Sequence, residues 1–174
     1  RITEFILERV RHYSRVVYLL RDDVIDAVLK PMHDKPLDLV DLVLKMKALE
    51  AVMTKPEFDP LIVGFKRAHR LVEKEQWSRK PVDAARFQHP AESVLHKAVT
   101  EERVRIEASI KTGDYGLALD GLVMLKPAID AFFTAVMVNT EDQEVRSNRL
   151  SLLKAVDDLF MGFADFSQIV VQGG

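Results

Sequence analysis

Cysteine is absent from the 174 residues, and glycine and proline number only seven each. The missing thiols exclude a disulfide-stapled secreted scaffold, thiolate metal centres and cysteine nucleophiles. No uninterrupted apolar run approaches the ~18 residues a membrane-spanning helix needs, and the amino end carries no signal-peptide pattern. A phosphate-cradling glycine loop, a dinucleotide fingerprint and a Ser-His-Asp framework are also missing. What is present is 48% hydrophobic and 30% charged. That is too apolar for a disordered chain and suffices to bury roughly two-thirds of the surface of one domain, or of one domain plus a piece of another. The sequence reads as soluble and intracellular, with the cytoplasm as its expected location. It begins at Arg1, in the middle of an amphipathic pattern, which reads as a piece of something longer.

Apolar residues recur at spacings of three and four throughout, and no stretch alternates with period two long enough for a strand, so the expected class is all-α, a helical bundle. The pattern predicts a first helix from Ile2 to Leu20 with Phe5, Ile6, Val10, Tyr13 and Val17 inward, and a short second one through Val24 to Leu29, stopped by Pro31. A third opens at Pro36 and runs to Thr54, and a fourth opens at Asp59-Pro60 and ends near Gln76. Trp77 to His89 reads as a connector. Pro90 with Glu92 opens a long fifth helix that Gly113 terminates and Asp114 restarts. Lys126-Pro127 marks a break before a helix over Ala128 to Val138. Thr140-Glu-Asp-Gln143 has capping-box spacing ahead of a last helix toward Phe163.

Charge is uneven along this series. Residues 1–58 carry ten basic and ten acidic side chains, residues 59–80 six and three, and residues 81–174 nine and fourteen. The basic concentration therefore sits on the fourth helix and its exit. Lys66, Arg70 and Lys74 follow one another at i, i+4 and i+8 beside Arg67, with Trp77, Arg79 and Lys80 beyond. Such a ridge suits a helix that tracks a phosphate backbone, and equally an ordinary solvated face. On the last helix Arg149 falls in the middle of the apolar stripe, with Arg146 and Asn148 at its edges. A guanidinium there is either half of an internal ion pair, with Asp130 or Glu92 as partner, or a group presented to a ligand. Phe132 reads as core and Phe133 as less settled. His33-Asp34 is the dipeptide of a metal-dependent phosphohydrolase motif, but five histidines without an i, i+4 pair make a poor ligand set, and no metal site is expected. The residues support a helical binding module more than an enzyme.

The order of residues narrows this. Phe65-Lys-Arg-Ala-His-Arg-Leu71, Val82-Asp83, Phe87, Pro90-Ala-Glu92, Leu95 and Gly113-Asp-Tyr115 resemble the carboxy-terminal region of the beta subunit of bacterial glycyl-tRNA synthetases. So do Pro127-Ala-Ile-Asp-Ala-Phe-Phe133, Val136-Met-Val138, Asp142, Arg146, Asn148-Arg-Leu150, Leu152-Leu153 and Ala164-Asp-Phe-Ser167. The likeness covers residues 59–174, and Asp23-Val-Ile-Asp-Ala-Val-Leu29 is the clearest piece of a match through residues 1–58. It implies a DALR-type anticodon-binding domain over 59–174, preceded at 1–58 by the helical end of a body region. Relatives usually carry Asn at the position of Arg70 and a small residue at that of His69.

The resemblance further implies a heterotetramer with an alpha subunit and a second beta subunit, which attaches glycine to tRNA(Gly). ATP and Mg would be used through the alpha subunit, so this fragment is expected to hold no cofactor and no catalytic residue, and to meet neither DNA nor a membrane. Glycine tRNAs share two anticodon cytosines, whose edges need both donors and acceptors, and unstacked loop bases take flat partners. The expectation is that Asp130, Phe133, Arg146, Asn148 and Arg149 read bases while Lys66, Arg67, Arg70, Lys74, Arg79 and Lys80 hold phosphates. The competing expectation, favoured by the acidic 81–174 region, is a scaffold that docks the beta-subunit tail within the synthetase without reading bases.

Overall fold

A computed structural model of the chain describes residues 2–32 and 36–171, so the His33-Asp34 dipeptide lies outside the described residues. Every regular element among them is helical. The elements are α1 (Ile2–Val16), α2 (Asp22–Leu29), α3 (Leu39–Val52), α4 (Phe58–Lys74), α5 (Pro90–Thr112), α6 (Tyr115–Met124), α7 (Lys126–Ala135) and α8 (Gln143–Met161). Single 3-10 turns lie at Lys30–Met32, Ala84–Arg86 and Phe166–Gln168.

Local chemistry sets most of these boundaries. At α5 the side chain of His89 accepts the Ala91 amide at 3.1 Å while Glu92 reaches back to the His89 amide at 2.8 Å, satisfying N–H groups that the first turn leaves unpaired. Gly113 closes α5 at φ 75, a left-handed conformation open to a residue without Cβ. Several boundaries move from where the pattern puts them. Asp38 takes the Asp41 amide at 3.0 Å, so α3 begins after that cap and not at Pro36. Asp142, accepting from Glu144 and Val145, caps α8 in place of Thr140. α1 ends at Val16, with Leu19 left-handed at φ 54. Its buried face is Leu7, Val10 and Ser14, whereas Phe5, Tyr13 and Val17 are exposed. α7 stops at Ala135, because Val136 turns extended at φ −115 and ψ 123.

α4 packs on α7 and α8, and α5 on α6, α7 and α8. The Phe65 and Phe160 rings stack at 4.8 Å where α4 meets α8, and Phe166 meets Phe160 edge-on at 5.4 Å. Aromatic pairs of this geometry contribute about 0.5–1.5 kcal/mol beyond the area they bury. The C-terminal turn reaches α2, with the Asp165 amide donating to Ala27 O at 2.8 Å and Lys30 Nζ 2.9 Å from the Asp165 carboxylate. α4 and α7 approach closely at Gly64, where a Cβ would come within 2.9 Å of Ile129 Cγ2.

One ion pair lies inside this core. Arg149 of α8 and Glu92 of α5 are 7% and 0% exposed, and Arg149 Nε donates to Glu92 Oε1 at 3.0 Å. The other carboxylate oxygen accepts the amides of Gln88 and His89 at 2.9 and 2.8 Å. Burial pushes the Glu92 carboxyl up, but the bonds from Arg149 and the two amides outweigh it and hold the group below its ordinary 4.5. A carboxyl lowered by folding stabilises fully above its ordinary value, and that contribution is lost as pH falls through the lower folded value. Glu92→Gln leaves the guanidinium unpaired and is expected to cost about 3–5 kcal/mol at pH 7. Denaturant titrations should show the gap to wild type closing below about pH 4; a gap independent of pH would mean that the Glu92 charge is not what supports the fold.

Candidate nucleic-acid interface

α4 buries Leu61, Ile62, Phe65, Ala68 and Val72, and its polar residues divide around that stripe. Two of them turn back to the protein. Lys66 Nζ donates to Ile169 O at 2.5 Å, fastening the end of the described chain to α4. The His69 ring stacks on Phe65 at 5.4 Å, with Nδ1 2.6 Å from Asp157 Oδ1 and Nε2 3.3 Å from Glu73 Oε1. Lys154 lies 2.9 Å from the same Asp157 and 2.8 Å from Asp158. Burial lowers that ammonium's pKa, and the bonds to Asp158 and Asp157 outweigh it, so it titrates above its ordinary 10.5.

Arg67, Arg70 and Lys74 are exposed, and no described carboxylate pairs with them. They follow at i, i+3 and i+7, which places them on one face of the helix. Arg67 and Arg70 stand at a cavity of about 330 Å³ whose remaining walls are Leu71, Val136, Met137, Val138 and Asn139. The Arg67 guanidinium lies 4.4 Å from the centroid of Phe133, which is held edge-on by Phe132 at 5.5 Å. The strand-like run after α7 forms the far wall. Val136 and Val138 are buried, and Met137 between them is 75% exposed, the alternation expected of extended backbone. Met137 and Asn139 escape the sequence reading because Val136-Met-Val138 there continues a helix. The two β-branched residues flanking Met137 are the signal that could have found it.

The other candidates lie elsewhere. Arg146 Nη2 is 2.6 Å from Glu75 Oε2, tying α8 to the end of α4. Asn148 is buried and exchanges two bonds with the Asp83 backbone, at 2.8 and 2.9 Å. The Arg149 guanidinium reaches Glu92 and, through Nη1, Met137 O at 2.8 Å; Asp130 pairs instead with Lys126 on its own helix. On the connector Arg79 is 3.9 Å from Asp158, and Lys80 sits 4.2 Å over the Trp77 ring, whose Nε1 donates to Ser151 at 3.2 Å. The structure thus brings together Arg67, Arg70, Lys74 and Phe133, leaves Arg79, Lys80 and Asp130 exposed apart from them, and turns Lys66, Arg146, Asn148 and Arg149 inward.

Chemically, α4 and the segment facing it offer three cations without a carboxylate partner among the described residues, one of them lying on an aromatic ring, and an amide at Asn139 that can both donate and accept. Those are the parts a groove needs to hold phosphates and to seat a flat heterocycle. No group of three or more His, Cys, Asp or Glu able to hold a metal occurs among the described residues. None of their helices is long and apolar enough to cross a membrane.

The chain is 40% identical over 160 residues to the glycine-tRNA ligase beta subunit of Citrifermentans bemidjiense, covering 90% of this chain and 23% of that protein. It is 39% identical to that of Geobacter sp. (strain M21) over the same shares. Against that of Acidobacterium capsulatum identity is 35%, covering 98% of this chain and 25% of that protein. The chain therefore spans about a quarter of the length of the curated relatives it matches. Residues 61–163 match the family described as the DALR anticodon binding domain, and the chain belongs to that family.

Proposed function

We propose that the α4 face binds the anticodon arm of a tRNA. Arg67, Arg70 and Lys74 hold phosphates, and the cavity between Arg70 and Asn139 takes an unstacked anticodon base. The observation that carries this reading is the row of three exposed cations with no carboxylate partner among the described residues, two of which, Arg67 and Arg70, line a cavity while the Arg67 guanidinium lies on the Phe133 ring. Arg67 and Arg70 supply donors and the Asn139 amide supplies a donor and an acceptor, the combination a cytosine edge needs. Arg79 and Lys80, exposed on the connector, extend the phosphate contacts. Asp130 and Phe133 lie on α7, and the Phe133 ring backs the Arg67 guanidinium. Lys66, Arg146, Asn148 and Arg149 support the framework around it.

On this reading the chain serves a glycine-tRNA ligase, its relatives' beta subunit, as the part that handles tRNA(Gly) in the cytoplasm. Residues 59–174 form the anticodon-binding domain and residues 1–58 the end of the preceding body. Glycine activation with ATP and Mg belongs to an alpha subunit, in an assembly with a second beta subunit. A second reading, favoured by the exposed apolar face of α1 and α3, is a scaffold that docks within the synthetase. That face holds a groove of about 560 Å³ between Val10, Tyr13, Tyr18, Val40 and Leu44.

Two measurements decide. In the full-length protein, replacing Arg67, Arg70 and Lys74 by Gln is expected to weaken tRNA binding for every anticodon and to reduce the slope of log affinity against log salt by about 0.7–0.9 per lost contact. Lys66→Gln, whose ammonium is already spent on Ile169 O, is expected to leave the slope as it is. An unchanged slope in the triple variant would remove the phosphate role. A gel-shift comparison of tRNA(Gly) with an anticodon-swapped tRNA(Gly) should show a preference of roughly tenfold or more, since each misread base costs about 1–3 kcal/mol. Equal affinity for the two would favour the scaffold.

A further inference from the structure

The wall of the cavity opposite α4 is the segment after α7, extended at Val136 and bent at Val138, and a tether reaches it from α8. Val136 is anchored by its amide to Phe132 O at 2.8 Å. One residue later the Met137 carbonyl accepts from Arg149 Nη1 at 2.8 Å. That guanidinium cannot follow the loop if it drifts, because its Nε is bonded to Glu92 and its Nη2 lies 3.4 Å from Gln88 Oε1. Glu92 is in turn held by the amides that open α5. The carbonyl of residue 137 is therefore fixed from the core side. That holds the peptide plane that follows Met137, whose side chain, between buried Val136 and Val138, is exposed beside Asn139 and the two arginines of α4.

We infer that Arg149 is a positioning residue for base selection. It touches no RNA; through the Met137 carbonyl it sets where Met137 and Asn139 stand at the cavity, and so which base edge the cavity accepts. The inference rests on the reading that this cavity seats an anticodon base. A charge-assisted bond to a backbone carbonyl is strong enough for its loss to change discrimination about tenfold. Placement of this kind acts on preference among bases and leaves the phosphate contacts, and hence the salt slope, alone.

Arg149→Lys separates this role from support of the fold. Its ammonium keeps a positive charge beside Glu92 but ends one bond short of the Nη atoms, so the Met137 carbonyl loses its donor. In the full-length protein the expected result has three parts. Salt slope and affinity for an anticodon-swapped tRNA stay as in wild type. The preference for tRNA(Gly) falls about tenfold. Hydrogen exchange at residues 136–140 rises while that of α8 does not. Retained preference in Arg149→Lys, with faster exchange at 136–140, would overturn the inference and leave the anticodon reading standing. Absence of any preference in wild type would overturn that reading and the inference with it. If Arg149→Lys does not fold, Glu92→Gln with Arg149→Gln keeps the helix cap and leaves no unpaired charge. The same loss of preference is then expected, and its absence would again overturn the proposal.

Discussion

The arrangement of the bundle around its candidate interface depends on one buried ion pair. A charge as deep as Glu92 persists only when it is paired and hydrogen-bonded, and here one oxygen takes Arg149 while the other takes two amides of the turn that opens α5. Because Arg149 also holds a carbonyl after α7, the pair joins the start of α5 to the exit of α7 and the first half of α8. An apolar pair of the same volume would fill the space at less desolvation cost. It would not hold the Met137 carbonyl, which Arg149 Nη1 holds at 2.8 Å.

α4 translates this fixed frame into a surface. Its inner stripe is locked by the Phe65 and Phe160 stack and by the close approach to α7 that Gly64 permits. With rotation and distance both set, the remaining positions sort themselves by angle. Lys66 and His69, nearest the buried stripe, find partners in Ile169 O and Asp157. Arg67, Arg70 and Lys74, further round, find none among the described carboxylates and stay available to a ligand. The helix thus turns Lys66 and His69 to the fold and leaves Arg67, Arg70 and Lys74 on a single edge, the first two at the cavity.

Much of this was legible in the sequence, and the failures have a common cause. The all-helical class, the long α5 from Pro90 to its glycine stop and the break at Lys126-Pro127 follow from periodicity and capping chemistry that act within one turn. Arg149 in the apolar stripe read either as half of an internal ion pair, with Asp130 or Glu92, or as a group presented to a ligand, and the structure gives the pair with Glu92. What periodicity cannot supply is which neighbour occupies a given face. Phe5, Tyr13 and Val17 look like a core stripe on α1, yet α2 packs on the side of Leu7 and Val10. Lys66, Arg70 and Lys74 look like the ridge, yet the C-terminal turn claims Lys66 and shifts the usable row to Arg67, Arg70 and Lys74. Arg146 and Asn148 look like presented polar groups until Glu75 and the Asp83 backbone are brought against them. Each of these depends on contacts between residues far apart in the chain, which no local pattern encodes.

The same logic removes the apparent conflict between an acidic chain and the RNA-binding role proposed for α4. The region 81–174 carries fourteen carboxylates against nine basic residues, a surplus that would repel a phosphate backbone if it were all exposed. Many of those carboxylates are turned to structural use. Glu92 holds Arg149, Asp157 holds His69 and Lys154, Asp165 caps the last turn and binds Lys30, and Asp142 and Asp114 cap helices. A carboxylate engaged by a cation or by backbone amides adds little to the field at a distance beyond the Debye length of about 8–10 Å. The unpaired cations of α4 act at contact range, where screening is weakest. The field that an approaching polyanion meets is therefore set by which charges the fold leaves unpartnered, and net charge, an average over paired and unpaired groups alike, carries almost no information about it.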